Sequence, residues 1–588
     1  MKSSRNALSL AFIAAAFPSA GSLIAEESTS PASQDPLLEI SSPYFDLSAN
    51  IRAHIQLPSL SCDADELQLN RSLRNNQNML AKSVDRAAQA LGYYSAITEF
   101  DMQANGECWK LTVTVEPGEP TIIESLAVQV TEHSELFDST IKSLPLAEGM
   151  QLNHAHYEAS KSALASTALE LGFLNAGFEH TALRVSPAQH SAAIDLVLNP
   201  GQRHRFGELD IDTGGSLSAD FVDRFSTFEE GDFYTSEKLL DLRRKLNDSQ
   251  YFDSVSINPQ LDSINAGVVP IKASLVPRPR RVYEYGAGLT TDMGPRLSAY
   301  YEDRFKNPRG HRLNATSSLS TTQKSLDADY LIPLLNPSTE NLRFSAGFIE
   351  ENTATFDSRS YRGSAAYTFV NRSNWRQSFF ANFRHDEFTL NGERETSDLL
   401  IPGFNITKTQ ADDALVPQRG WRLFLQLRAA EKALLASESF LQLNLNGKWI
   451  SPLGKGRFIS RFELGTNHVD NITKLPASIQ FFTGGDQSVR GYDYKSIGAS
   501  GENETIIGGK SLAVASIEYD HEIASNWRVA LFADAGDAFD EPSELSLKSS
   551  AGLGIRWVSP IGPVRIDFAH PFDSDESLKL HITMGPDL

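Results

Sequence analysis

What this chain has little of narrows its function first. Beyond residue 25 no apolar run approaches the ~18 residues of a membrane-crossing helix, so no helical anchor is expected. Basic residues are in deficit, 53 against 74 acidic, for a formal net charge of -21. A chain without a concentrated basic face is a poor binder of nucleic acid, which is not expected as a partner. Neither G-x-S-x-G nor H-E-x-x-H occurs, no nucleotide-binding loop is present, and the 13 histidines show no ligand spacing. His154 and His156 flank one residue at a helix start, where capping or solvation is expected. The chain is therefore read as a non-enzyme with no metal and no cofactor. Cysteine is nearly absent as well. Cys62 and Cys108 are the only two, both in the first domain of an exported chain, where a disulfide is expected over two free thiols.

Export is read from residues 1–25. Lys2 and Arg5 precede an apolar run from Ala7 to Phe17, and small residues follow at Ser19 to Gly21 and at Ala25. That run is too short to span a bilayer but suits a signal peptide, with cleavage between about Gly21 and Ala25. An exported chain without a helical anchor is either soluble or an outer-membrane β-barrel, whose signal per strand is weak.

Residues 39–278 hold a threefold internal repeat, with boundaries at 39–118, 119–202 and 203–278. Each copy has a helical stretch ending at an aromatic: Tyr93, Phe173 and Tyr251, spaced 80 and 78 residues apart. Each then has two short strands, the second ending at a proline, in LTVTVEPG, IDLVLNPG and IKASLVPR. The third copy is the clearest. A strand at Arg205 to Asp212 precedes a helix near Ala219 to Phe228, and Thr235 or Ser236 caps a second helix with Leu239, Leu242 and Leu246 on one face. Strands near Phe252 to Asn258 and Val268 to Val276 complete a β-α-α-β-β unit. Its three-stranded sheet leaves an edge that either takes an added peptide strand or merely serves a rigid spacer.

From Val282 to Leu588 the pattern has period two. Tyr283, Tyr285, Ala287 and Leu289 share a face opposite Val282, Glu284, Gly286 and Gly288, and Leu578, Leu580, Ile582 and Met584 oppose Lys579, His581 and Thr583. Short turns such as Lys306 to Gly310 alternate with longer loops such as Asp537 to Ser550, the asymmetry of a membrane barrel rather than a sandwich. Eleven alternating runs precede the longest loop and five follow it, sixteen in all, with the eighth near Leu399 to Thr409. Tyr361, Tyr367, Trp421, Trp449, Trp527 and Trp557 are candidates for interfacial girdles.

That longest loop, about 465–509, contains FFTGGDQSVRGYDYKSIG from Phe481 to Gly498. The paired glycines Gly484 and Gly485 permit close backbone approach, and Val489, Arg490, Gly491 and Tyr492 follow. Strand phase in the thirteenth and fifteenth runs turns Phe532, Asp534 and Asp567 into the lumen. Arg490 is expected to pair with Asp534, with Asp567 nearby and Phe532 against the guanidinium. Exchanging Arg490 and Asp534 is then expected to restore part of what either change loses. Whether the pairing gates movement or only stabilises the barrel is left open by the residues.

The repeats resemble POTRA domains, SVRGYDYKS matches the V-R-G-[FY] loop motif, and LFADAG from Leu531 to Gly536 matches the F-x-D-x-G strand motif, of the BamA-type superfamily of outer-membrane assembly proteins. Three repeats and the ending Gly585 to Leu588 most resemble its TamA-type branch. The resemblance implies α+β POTRA repeats (β-α-α-β-β, three copies) followed by a 16-stranded antiparallel transmembrane β-barrel in the cell outer membrane, with the repeats in the periplasm. It further implies a lateral seam between the first and last strands, here carrying Gly286, Gly288, Leu580 and Ile582. Implied partners are a TamB-like inner-membrane protein, unfolded outer-membrane protein clients such as autotransporters, and outer-membrane lipid. The terminal Leu588, in place of an aromatic, and the Cys62–Cys108 pair depart from the family pattern. A two-partner-secretion exporter of an adhesin is the alternative within the superfamily, though such exporters carry two POTRA units and a plug helix. A passive porin-like channel is a further alternative, against which the repeat region argues.

Overall fold

The computed structural model of the chain describes residues 37–585 except 107, 354, 391–392, 501–505, 560–561 and 575–577. The expected signal peptide at 1–25 and the ending at 586–588 lie outside the described residues. Two compact units result: one ends at Leu169 and takes in Asn175–Gly201, the other comprises Glu170–Leu174 and Gln202–Leu588. No helix among the described residues is long and apolar enough to cross a membrane.

The first unit holds the first two repeats apart from Glu170–Leu174. In repeat one a strand at Leu38–Ser41 leads to helices Phe45–His54 and Glu66–Ala90 and strands Ile97–Asn105 and Cys108–Glu116. The last strand lies in the middle, parallel to the first and antiparallel to the second. Asp65 starts the long helix with a capping box to Gln68. Leu69, Leu80, Val84 and Ala87 then fall on one face and bury against Leu111, Val113 and Val115, alternate positions of the central strand. A disulfide joins Cys62, between the helices, to Cys108 at the start of that strand. Repeat two has the same order, with strands Ile122–Val130, Gly177–Ser186 and Ser191–Asn199. His154 does not cap its helix: Asn153 Oδ1 accepts from the Ala155 N–H at 2.9 Å, and the His154 ring meets the Tyr94 hydroxyl of repeat one at 2.7 Å.

The second unit holds repeat three and the barrel. Repeat three runs Arg205–Asp212, Ala219–Asp223, Ser236–Asp248, Phe252–Pro259 and Val268–Pro277. Its first helix is shorter than the sequence predicts. It stops at Asp223, and the chain then turns so that Phe228 stacks on Phe206 with ring centroids 3.9 Å apart. Thr235 caps the second helix, whose Leu239, Leu242 and Leu246 are buried.

Sixteen strands, from Arg281–Thr290 to Lys579–Met584, follow one another in a single antiparallel sheet. The eighth extends further than expected, over Glu393–Ala411. Polar residues such as Gln442, Arg457 and Asp520 are buried inside, while Leu443, Trp449, Leu531 and Leu553 are exposed outside. Repeat three is bolted to the turns at one end. Tyr251 donates its hydroxyl to the Gly310 carbonyl at 2.6 Å, Arg224 reaches the Leu334 carbonyl at 2.5 Å, and the Ser218 N–H reaches the Pro308 carbonyl at 3.0 Å. Trp421, Trp449, Trp527 and Trp557 sit at strand ends on this same side, where Trp527 and Trp557 stack. The long loop enters from the opposite end. It spans 470–510 rather than 465–509, because Gly465–Val469 continue the eleventh strand by pairing Phe440–Asn444.

Candidate functional site

The loop folds back into the lumen and is held there by its own backbone. Phe481 bridges Gly509 and Thr483 bridges Ile497. Gly484 and Gly485 take positive φ angles of 101° and 106°, and a Cβ on them would lie 2.5 Å from the Asp493 carbonyl and 2.7 Å from Asp292 Oδ2. Only glycine allows that approach without displacing a neighbour.

Arg490 is 5 % exposed. Its Nε and Nη2 donate to the two oxygens of Asp534 at 2.7 and 2.9 Å, and its Nη1 donates to Glu518 at 2.9 Å and Asp567 at 3.1 Å. The guanidinium lies 3.4 Å from the Phe532 ring centroid. A planar fork with five donors can serve three carboxylates and a ring at once, which an ammonium cannot. Two more arginines balance the charge. Arg556 donates to Glu518 at 2.9 Å and to Asp567 at 2.6 Å, and Arg461 stands 3.8 Å from Asp534 while donating to the Gln487 and Ser488 carbonyls.

The other motif residues are placed by the same contact. Val489 is fully buried with Leu512, Val514 and Ala538. Its Cγ2 would lie 2.9 Å from any Cβ at Gly536, so the glycine of the strand motif makes room for the valine of the loop motif. Gly491, with φ of 93°, donates its N–H to His581 Nε2 at 2.8 Å, and the Tyr492 hydroxyl reaches the Ser549 carbonyl at 3.3 Å. Phe532 and Asp534 thus receive Arg490, and Gly536 receives Val489.

The loop sequence pointed to Arg490 and strand phase to Phe532, Asp534 and Asp567, and all four meet here. Glu518, Ser516, Arg461 and Arg556 were missed, although the same alternation places them: Glu518 is opposite Phe532 and Ser516 opposite Asp534 in the ladder. Ser516 donates to Asp534 at 2.6 Å.

The four expected seam residues lie on the two terminal strands. Among the described residues the first strand pairs only with the second, and the last only with the fifteenth. The two strands nevertheless run close to one another, and just past the end of the first strand the Ile582 N–H donates to Thr291 Oγ1 at 3.2 Å. Gly286 and Gly288 precede that contact on an exposed stretch where Tyr285 is 82 % exposed and nothing approaches a Cβ at Gly288 within 4 Å. No described ladder joins these glycines to Leu580 and Ile582.

Residues 308–585 match the family described as the Omp85 superfamily domain, and residues 38–117 match the POTRA domain TamA domain 1. The first match covers most of the barrel and the second covers the first repeat. A β-barrel that matches the Omp85 superfamily domain implies an outer-membrane location. The chain is 23% identical over 607 residues to the outer membrane protein assembly factor BamA of Neisseria meningitidis serogroup B, covering 88% of this chain and 74% of that one. A second relative, the BamA of Nitratidesulfovibrio vulgaris, is 32% identical over 114 residues, or 18% of this chain and 14% of that one. Among solved structures, BamA from Haemophilus ducreyi lacking POTRA domains 1-3 superposes with a TM-score of 0.66 at 16% identity, over 79% of this chain and 99% of that chain. That likeness shows the shared fold: POTRA domains followed by a nearly closed 16-stranded barrel.

Proposed function

We propose that this Omp85 protein is a TamA-type factor that inserts outer-membrane barrel proteins, autotransporters among them, through the seam between its first and last strands. The observation that carries the reading is the terminal strand pair. A barrel normally removes its edges by closing its ladder, whereas here Arg281–Thr290 and Lys579–Met584 share no described pairing. Where the described ladder does not continue, backbone donors and acceptors can pair with an incoming strand, whatever that strand's sequence. Gly286 and Gly288 keep the edge low, so Gly286, Gly288, Leu580 and Ile582 would be the first residues to meet a client or lipid.

The POTRA sheets, each with two edge strands, would lie in the periplasm and receive clients or a TamB-like inner-membrane partner. No catalytic step is needed. The work comes from the client's own folding, in which each added strand satisfies backbone groups that lipid cannot. A photo-reactive amino acid at Tyr285 should capture the terminal strand of an unfolded barrel client during assembly, and one at Tyr367, on the sixth strand, should not. Equal capture at both positions would remove the seam from the mechanism. Export of one adhesin through the lumen is the second reading, and the plugged lumen speaks against it, because the loop with Arg490 would have to leave first.

A further inference from the structure

Where the two seam strands approach, a third element stands between them. Asp486, in the lumenal loop, and His581, on the last strand, are both buried. Asp486 Oδ1 accepts from the Thr291 hydroxyl at 2.8 Å and from His581 Nδ1 at 2.5 Å, and its backbone N–H donates to Asp292 Oδ2 at 2.8 Å. Thr291 in turn accepts the Ile582 N–H. On the far side of the imidazole, the Gly491 N–H points at Nε2. That donor fixes the tautomer: Nε2 is the acceptor, so Nδ1 carries the proton and donates to Asp486. Asp292, Asp486 and His581 gather potential ligand atoms within 4.8 Å of one another. Both ring nitrogens and Asp486 Oδ1 are nevertheless already engaged in hydrogen bonds, so the cluster is complete as a set of protein contacts.

We propose that Asp486 is a clasp. It is a positioning residue that ties the turn after the first strand and the body of the last strand to the loop, so that parting the seam and unseating Val489-Arg490-Gly491-Tyr492 from the lumen are one movement. The inference rests on the seam reading above and adds its control point. The two strands could not separate at Thr291 and Ile582 without Asp486 giving up Thr291 and Asp292 on one side or His581 on the other. His581 could not move outward with its strand without withdrawing the acceptor of the Gly491 N–H, one residue from Arg490. Charged and buried hydrogen bonds of this kind are lost together, because each freed group would otherwise be stranded.

The test uses the full-length protein in lipid bilayers, with its disulfide intact. Spin labels at Leu289→Cys and Leu580→Cys, both outward-facing and outside the clasp, read the seam distance. A reference pair at Leu531→Cys and Leu553→Cys, ladder partners on the thirteenth and fourteenth strands, reads the closed wall. Asp486→Ala should raise the separated seam population by roughly tenfold, equivalent to about 1.4 kcal/mol. Thr291→Val, a milder change, should move it in the same direction, and both should leave the reference pair unchanged. The thiol reactivity of a Val489→Cys reporter should rise in parallel. An unchanged seam distance in both variants would overturn the clasp, and so would equal broadening of the reference pair. A chelator that reproduces the Asp486→Ala effect in the unmutated barrel would also overturn it, by showing that a bound cation holds the corner. Because no client is present, these outcomes are separate from any failure of the insertion reading.

Discussion

Replacing Arg490 by alanine should release the lumenal loop by an amount that the structure allows to be worked out. Three arginines, Arg461, Arg490 and Arg556, face three carboxylates, Glu518, Asp534 and Asp567, so the cluster is neutral as built. Arg490→Ala leaves two positive charges against three negative ones in a buried site. Removing one partner of a buried ion pair costs about 3 to 5 kcal/mol. Arg461 and Arg556 remain to share the load and Ser516 still donates to Asp534, so the lower end, about 3 kcal/mol, is expected. If loop opening controls access to the fully buried position 489, the maleimide reactivity of a Val489→Cys reporter should rise about a hundredfold, at a factor of ten per 1.4 kcal/mol. Arg490→Lys keeps the charge but loses the fork and the stacking on Phe532, and should fall between. Reactivity within about threefold of the parent in Arg490→Ala would refute the claim that this network seats the loop. The exchange of Arg490 and Asp534, attractive from the sequence, is a poor test in this setting. A carboxylate at 490 would face Glu518 and Asp567, which now lie 2.9 and 3.1 Å from the guanidinium.

Two further expectations follow from packing and titration. Gly536→Ala would place a Cβ 2.9 Å from Val489 Cγ2 and 3.0 Å from Val514 Cγ2; with Val489 in place it should loosen the loop by about 1 to 3 kcal/mol, read as faster hydrogen exchange over residues 484–494, and Val489→Ala should recover part of that loss, whereas two independent effects would simply add. Burial holds the His154 imidazole below its ordinary pKa, with Glu158 opposing more weakly. Its folded form favours the neutral ring, so the Tyr94–His154 contact should be intact above about pH 6.5 and weaken as pH falls through the lowered folded value. Hydrogen exchange around residues 90–95 and 150–157, corrected for intrinsic rate, should show that loss and show none in His154→Gln.

The alternation of apolar and polar residues carried most of the architecture, because a barrel wall repeats one local rule sixteen times. It delivered the strand count, the phase of Asp534 and Asp567, and so the partners of Arg490. Glu518 and Arg556 obey the same rule on the twelfth and fourteenth strands and went unread only because phase was followed on the thirteenth and fifteenth. The end of the first helix in repeat three was less legible, since Phe228 leaves the helical path to stack on Phe206, a contact between residues with no local signal. The corner of Asp292, Asp486 and His581 was the least legible. Its members come from a turn, a loop and the final strand, separated by 194 and 95 positions, and only the curling of the sheet brings them together.

The central claim is that the protein works through its seam, and locking the seam tests it most directly. Thr291→Cys and Ile582→Cys, placed where the Ile582 N–H meets the Thr291 hydroxyl, would be joined by oxidation or a short bis-thiol reagent in a background with Cys62 and Cys108 replaced. The account predicts that the locked barrel stops assembling a client barrel protein and that cleaving the link restores assembly. A locked barrel that assembles its client at the unlocked rate would contradict it, and would move the work to the POTRA domains or to the lumen.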